Sequence, residues 1–299
     1  MTKPFFHPSN LIMLVLGIRR SPRFSPNSVD RDEAIFSAVS SRLLRKGCDV
    51  SVISEDLFVG VDVSRFDLVY SMARGSDVLS QLAQAEEGGT LVVNSSKTLL
   101  CQQRANLVKT FQKANVPMPS LQVMNPAETL ADATCAALRF PLWVKRGDSS
   151  AMSSRDVVYV AKPDELPAVL EDFAERNISS VILEAHQEGT LVKFYGVRDT
   201  DFFFACRAED TAFSKFGLES RNGHGTEAEL PVEALKSLTQ RAAEVSNLEV
   251  YGGDAIVTPD GRCVLIDFND WPSFSPCRKA AAKAIADLLC KKAQSTAKN

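Results

Sequence analysis

Two hydrophobic periods alternate along this chain and lay out its elements. Residues 11–17 form a continuous apolar run of strand length, after which Ile35, Val39, Leu43 and Leu44 recur at helical spacing. The spacing predicts a helix from about 28 to 46, with acids in its first turn and Gly47 just past its end. Strands 48–53, 66–71 and 89–93 and helix 76–86 complete a first unit, residues 1–93, whose strand–helix alternation favours a parallel sheet. Helix 103–114 runs into Val116-Pro117-Met118-Pro119, a rigid connector. Helix 125–138, strands 141–145, 156–160 and 179–184, helix 163–176 and a serine-rich loop 147–155 make a smaller second unit, residues 94–184. The third unit, 185–299, carries strands 190–197 and 201–207, a polar loop 214–227, helix 231–246, a hairpin and a final helix 277–292.

The hairpin is the most informative segment. Runs 254–258 and 262–268, rich in β-branched and aliphatic residues, flank Asp260-Gly261, a turn pair that accepts positive φ. A two-residue loop pairs 259 with 262, 257 with 264, and Asp254 with Asp267, and strand alternation puts Asn269 on the face of Asp267. Two carboxylates opposed at roughly 5 Å between Cβ atoms destabilise a sheet. A hard cation with oxygen ligands removes that repulsion, so Asp254, Asp267 and Asn269 are candidate metal ligands. Lys145 closes the apolar strand Leu142-Trp143-Val144 and Lys193 sits within Leu191-Val192-Lys193-Phe194-Tyr195; both are placed to aim an ammonium into a cleft. Arg19, Arg20 and Arg23 follow the first strand and precede a helix, at the carboxyl end of an open sheet where anionic ligands bind. They are candidate substrate residues, as are those around Lys215, Arg221, Asn222 and His224.

Composition narrows the class. The 299 residues, 45% hydrophobic and 24% charged, suit two or three units around a cleft, and a net charge of −3 argues against general nucleic-acid binding. Seven cysteines without a CxxC pair fit a reducing, cytoplasmic setting better than a disulfide or zinc framework. No apolar run is long enough to span a bilayer, so the expected partners are small molecules, with neither nucleic acid nor membrane. There is no Gly-x-Ser-x-Gly elbow, Walker loop or Gly-x-Gly-x-x-Gly fingerprint, which leaves nucleophilic hydrolases and dehydrogenases without support.

Over residues 94–275 the chain resembles the ATP-grasp superfamily. The resemblance rests on Asn94-Ser95; Arg104 with Pro117 and Pro119; Pro141-Leu142-Trp143-Val144-Lys145; Leu183-Glu184 with Lys193-Phe194-Tyr195; and Asp254 with Asp267-Phe268-Asn269, in the family's order. It implies α/β and α+β architecture: a three-subdomain ATP-grasp fold with an N-terminal parallel-sheet domain. It further implies ATP and Mg2+ as cofactors, held by Arg104, Lys145, Glu184, Glu188 and Lys193 on the nucleotide and by the hairpin acids on the metal. Arg207 and Lys193 are implied beside the transferred phosphate, and Ser273, in Trp271-Pro272-Ser273-Phe274, in a substrate-facing turn. Arg104 stands where the family has lysine, and loop 147–155 is poorer in glycine than the family pattern. The implied reaction joins a small carboxylate to an amine through an acyl phosphate; the alternative is a kinase of a small polyol or inositol phosphate. A homodimer is also expected from the resemblance.

Overall fold

The computed structural model describes residues 12–101, 103–128, 139–211 and 229–296. In its first unit β1 (Leu14–Arg19) lies between β2 (Asp49–Ser54) and β3 (Leu68–Ser71), and β4 (Val92–Val93) extends the far side of β3, all pairs parallel. Parallel neighbours need crossovers, supplied by α1 (Val29–Arg45) and α2 (Ser76–Glu87). Strand alternation divides β1: Val15 packs with Ile35, Phe36 and Val39 of α1, whereas Leu16 and Ile18 pack with Val78 and Leu82 of α2. Gly17 belongs to the α1 side, where an added Cβ would stand 2.4 Å from the Tyr70 hydroxyl, so no side chain fits.

The predicted helix 103–114 is α4 (Arg104–Lys113), and a separate short α3 (Ser96–Cys101) precedes it. Next comes an antiparallel sheet ordered β5 (Leu121–Met124), β8 (Val181–Ala185), β6 (Leu142–Arg146), β7 (Val157–Val160), backed by α5 (Leu166–Glu175). Strand β5 is absent from the sequence-based assignment, and residues 129–138 of the helix expected there lie outside the described residues.

The last sheet is antiparallel, with β9 (Thr190–Val197) and β11 (Val250–Val257) central and β10 (Phe203–Arg207) and β12 (Cys263–Asp270) at its edges. One face is covered by α6 (Val232–Ser246): Leu235, Leu238 and Ala242 meet Val192, Phe194, Leu265 and Phe268, and α4 adds Leu107 and Phe111. The expected polar loop 214–227 lies outside the described residues. The final helix, α7 (Arg278–Thr296), packs against α1; Ala281, Ile285 and Leu289 share a core with Val15 and Phe36. It thus joins the first unit's core, although the sequence reading grouped it with the third. Buried Asn94 adds a second link, donating to the Val250 carbonyl (2.8 Å) and accepting from the Glu249 and Val250 amides (2.9 Å each). Among the described residues no helix is long and apolar enough to cross a membrane.

The hairpin pairs Asp254 with Asp267 as expected, by another route. Its loop has three residues, Pro259-Asp260-Gly261, not two: Thr258 and Arg262 bond at 2.9 Å, and Gly261 takes φ +82° at the left-handed position. Val257 therefore faces Cys263, correcting the expected partner 264. A bulge then places the extra residue Ile266 on β12 between Leu265, opposite Ala255, and Asp267, opposite Asp254. The one-residue shift at the turn is undone by the one-residue bulge.

Candidate active site

A cleft of about 340 Å³ opens between the lid sheet (β5 to β8) and the last sheet, and it extends to loops of the first unit at Arg20 and Arg74. Its walls are set by strand alternation. On β9, Leu191, Lys193 and Tyr195 face the cleft, whereas Val192 and Phe194 face the α6 core. On β11 Asp254 and Ile256 line it, and on β12 Ile266, Asp267 and Asn269 do.

Every cationic side chain among the described cleft residues faces an acid. Lys145 Nζ lies 2.5 Å from Glu184 Oε1, Lys193 Nζ 3.3 Å from Asp254, Arg104 Nη2 3.4 Å from Asp267, Arg20 Nη1 2.9 Å from Asp32 and Arg74 Nη2 2.7 Å from Asp270. The first pair is the most enclosed. Glu184 is only 3% exposed; burial pushes its carboxyl above the ordinary range, and the adjacent Lys145 ammonium draws it back. Lys145 also donates to the Ile266 carbonyl at 2.9 Å, so the bulge ties the lid sheet to the last sheet. Arg104 is part of the same seam, bonding the Arg146 carbonyl at 3.3 Å while reaching Asp267.

Asp254 and Asp267 are directly opposed and partly open to the cleft, and Asn269 Nδ2 donates to Asp267 Oδ2 at 3.0 Å. Among the described residues no three His, Cys, Asp or Glu side chains gather to hold a metal by themselves. The donor set is two carboxylates and an amide, all hard oxygen ligands. That suits magnesium, which keeps waters and takes its remaining oxygens from phosphates.

Near the end of β8, Trp143 lines the cleft and its indole N–H donates to His186 Nδ1 at 3.1 Å, with Tyr159 edge-on to both rings. Burial lowers the His186 pKa, consistent with a neutral imidazole that accepts this bond. Burial pushes the Cys277 thiol up to about 12 and raises that of Cys206, so neither is set up as a thiolate nucleophile.

The expected residues divide clearly. Arg104, Lys145, Glu184, Lys193, Asp254, Asp267, Asn269, Arg20 and Ser273 all line this one cleft. Glu188 is exposed and outside its lining, where Gln187 stands instead. Arg207 is paired with Val192, on the α6 face, and the β10 residue opposite Lys193 is Cys206. Arg19 pairs with Glu33 at 3.5 Å, and Arg23 is exposed and lies over the Phe24 ring; neither lines the cleft. Arg221 lies outside the described residues. Sequence reasoning missed Asp32, the partner of Arg20, the Arg74–Asp270 pair, which joins segments 196 residues apart, and the Ile266 carbonyl, which only a bulge exposes.

No family model and no curated protein sequence matches the chain. Solved structures do. A D-alanine–D-alanine ligase from Bacillus anthracis complexed with ATP is 15% identical over 96% of this chain and 99% of its own, at a TM-score of 0.68. A D-alanyl-alanine synthetase A from Vibrio cholerae is 12% identical with the same coverages, also at 0.68. A RimK domain ATP-grasp protein from Sphaerobacter thermophilus is 18% identical over 93% of this chain and 99% of its own, at 0.65. At such identities the likeness defines the architecture: the chain has the ATP-grasp fold.

Proposed function

We propose that this protein is an ATP-dependent ligase that joins a carboxylate to an amine. The observation that carries the reading is the set of five cation–acid pairs lining one cleft, with the two hairpin acids opposed on its wall. Nucleotide would lie between the lid sheet and the last sheet, with Trp143 and the hinge after Glu184 at the base end. Lys145, Lys193 and Arg104 would neutralise the phosphates. Asp254, Asp267 and Asn269 would hold magnesium, which supplies charge neutralisation along the phosphate chain when bound.

A substrate carboxylate oxygen attacks the γ-phosphorus, the bond to the ADP oxygen breaks, and an acyl phosphate forms. The amine lone pair then attacks the acyl carbon, phosphate leaves with the C–O bond electrons, and the nitrogen loses a proton. The chain's side chains position charge and need form no covalent bond to substrate.

A kinase acting on a phosphorylated polyol needs surplus positive charge at the substrate end. Among the described residues there, Arg20 and Arg74 are each matched by an acid, which favours the ligase over such a kinase. The test is turnover of Mg-ATP with candidate acids in the presence of hydroxylamine. A hydroxamate is the expected product; a stable phosphorylated substrate would overturn the ligase in favour of the kinase.

A further inference from the structure

Trp143 stands on the lid wall of the cleft, on the same face of β6 as Lys145, whose ammonium bonds the Ile266 carbonyl. The last sheet supplies an apolar floor: Leu191 and Ile256, paired across β9 and β11, and Ile266 on β12. A flat ring fits between wall and floor only while the indole plane keeps its angle. The χ2 torsion of an aromatic side chain is broad, so neighbours must fix that plane. Two do so here. The Tyr159 ring meets the indole edge-on, centroids 5.1 Å apart at 67°, and the indole N–H donates to His186 Nδ1 at 3.1 Å.

His186 is itself held from two sides. Its backbone N–H donates at 2.9 Å to the carbonyl of Pro141, two residues before Trp143, and its ring lies edge-on to Tyr159 at 5.5 Å and 87°. Three rings from three segments thus brace one another, and of the three Trp143 alone lines the cleft.

The brace depends on one protonation state. Nδ1 accepts only while the imidazole is neutral with its proton on Nε2; in the imidazolium both nitrogens donate. The indole N–H, on a residue only 7% exposed, then loses its acceptor, which is costly. Among the described residues the titratable groups facing His186 are Tyr159 on β7 and Glu188 on its own segment, while β6 presents the uncharged indole. Burial lowers the His186 pKa and the Glu188 carboxylate opposes that shift, so the ring is neutral near pH 7 and charges as pH falls.

We infer that His186 is a positioning residue for nucleotide binding: it acts through Trp143, fixing the indole plane against which the base lies, and its protonation releases that plane and weakens the nucleotide. Resting on the nucleotide placement proposed above, this adds a determinant that never touches the ligand. Affinity is full above the folded-state midpoint of His186 and falls as pH drops through it, by at most about tenfold per pH unit for one proton.

The test is calorimetric titration of Mg-ADP across pH on wild type, His186→Gln, His186→Leu, Trp143→Phe and the Trp143→Phe/His186→Leu double variant. The indole N–H resonances of the chain's two tryptophans are followed by 15N NMR alongside. At neutral pH His186→Leu should weaken Mg-ADP roughly 10-fold, whereas His186→Gln, whose amide oxygen still accepts, should stay within about 3-fold of wild type. Beside Trp143→Phe the effect of His186→Leu should shrink below about 2-fold, because phenylalanine has no N–H to orient. The ratio of wild-type to His186→Gln dissociation constants, in which titration of the nucleotide phosphate cancels, should rise as pH falls. The indole resonance missing from Trp143→Phe should move with the midpoint of the His186 ring. Should His186→Leu not fold, the wild-type and His186→Gln profiles carry the test. The inference is overturned if His186→Leu binds as wild type does, if its loss persists undiminished beside Trp143→Phe, or if the wild-type and His186→Gln pH profiles coincide. A wild type that binds no Mg-ADP at any pH would instead remove the nucleotide site, and the ligase reading with it.

Discussion

Replacing Lys145 by Met should reveal how the cleft stores charge. Glu184 is 3% exposed and has the Lys145 ammonium 2.5 Å from Oε1 as its counter-charge. Stripping one partner from a buried ion pair typically costs about 3–5 kcal/mol, because the remaining charge stays uncompensated. The loss must depend on pH. Burial already raises the Glu184 carboxyl above its ordinary value of 4.5, and Lys145 opposes that rise. Without Lys145 the folded state holds the Glu184 proton to higher pH than the unfolded chain does. The protonated form is favoured on folding, so stability is greatest below the ordinary carboxylate range and declines as pH rises through the folded value. The limiting slope is about 1.4 kcal/mol per pH unit for one proton. Urea unfolding of wild type and Lys145→Met at pH 5.5, 7.0 and 8.5 should show a gap that widens with pH. Adding Glu184→Gln should recover most of the stability and flatten the pH dependence, while Mg-ATP turnover stays lost in both variants. A single variant within 1 kcal/mol of wild type at every pH would refute the reasoning.

Three further outcomes are expected. Asp267→Asn should leave thermal unfolding close to wild type and lower Mg-ATP turnover by orders of magnitude; unchanged turnover would remove the metal assignment. Gly253→Ala should destabilise by about 3 kcal/mol in chemical denaturation, the upper end for overpacking, because its Cβ would stand 2.1 Å from the Asp267 carbonyl oxygen. The His186 ring, followed by proton NMR, should titrate with a midpoint below the ordinary 6.5; a midpoint at or above it would contradict the neutral acceptor of the Trp143 indole.

The fold was largely legible because its long elements carry unambiguous periods: α1, α6 and the strands of the last sheet fall within a few residues of their expected places. The failures have physical causes. β5 is a four-residue edge strand, too short for alternation to register, and it is defined by pairing Leu121 with Glu184 across the sheet. The opposition of Asp254 and Asp267 was reached from a turn one residue too short, and the bulge at Ile266 supplied the difference. Nothing in an apolar Ile between Leu265 and Asp267 announces a bulge; its consequence is the carbonyl that receives Lys145. Arg74 was invisible for another reason. It is a single cation after a strand, and its meaning comes from Asp270, 196 residues away.

The placement of α7 against α1 has a consequence for how the protein can be taken apart. The chain travels through the lid and the last sheet before returning to finish the unit it began with. A fragment ending near residue 275 would bare the apolar side of α1, and a fragment starting near residue 94 would strand an amphipathic helix without a host. Dissection at the apparent seams should therefore give insoluble pieces.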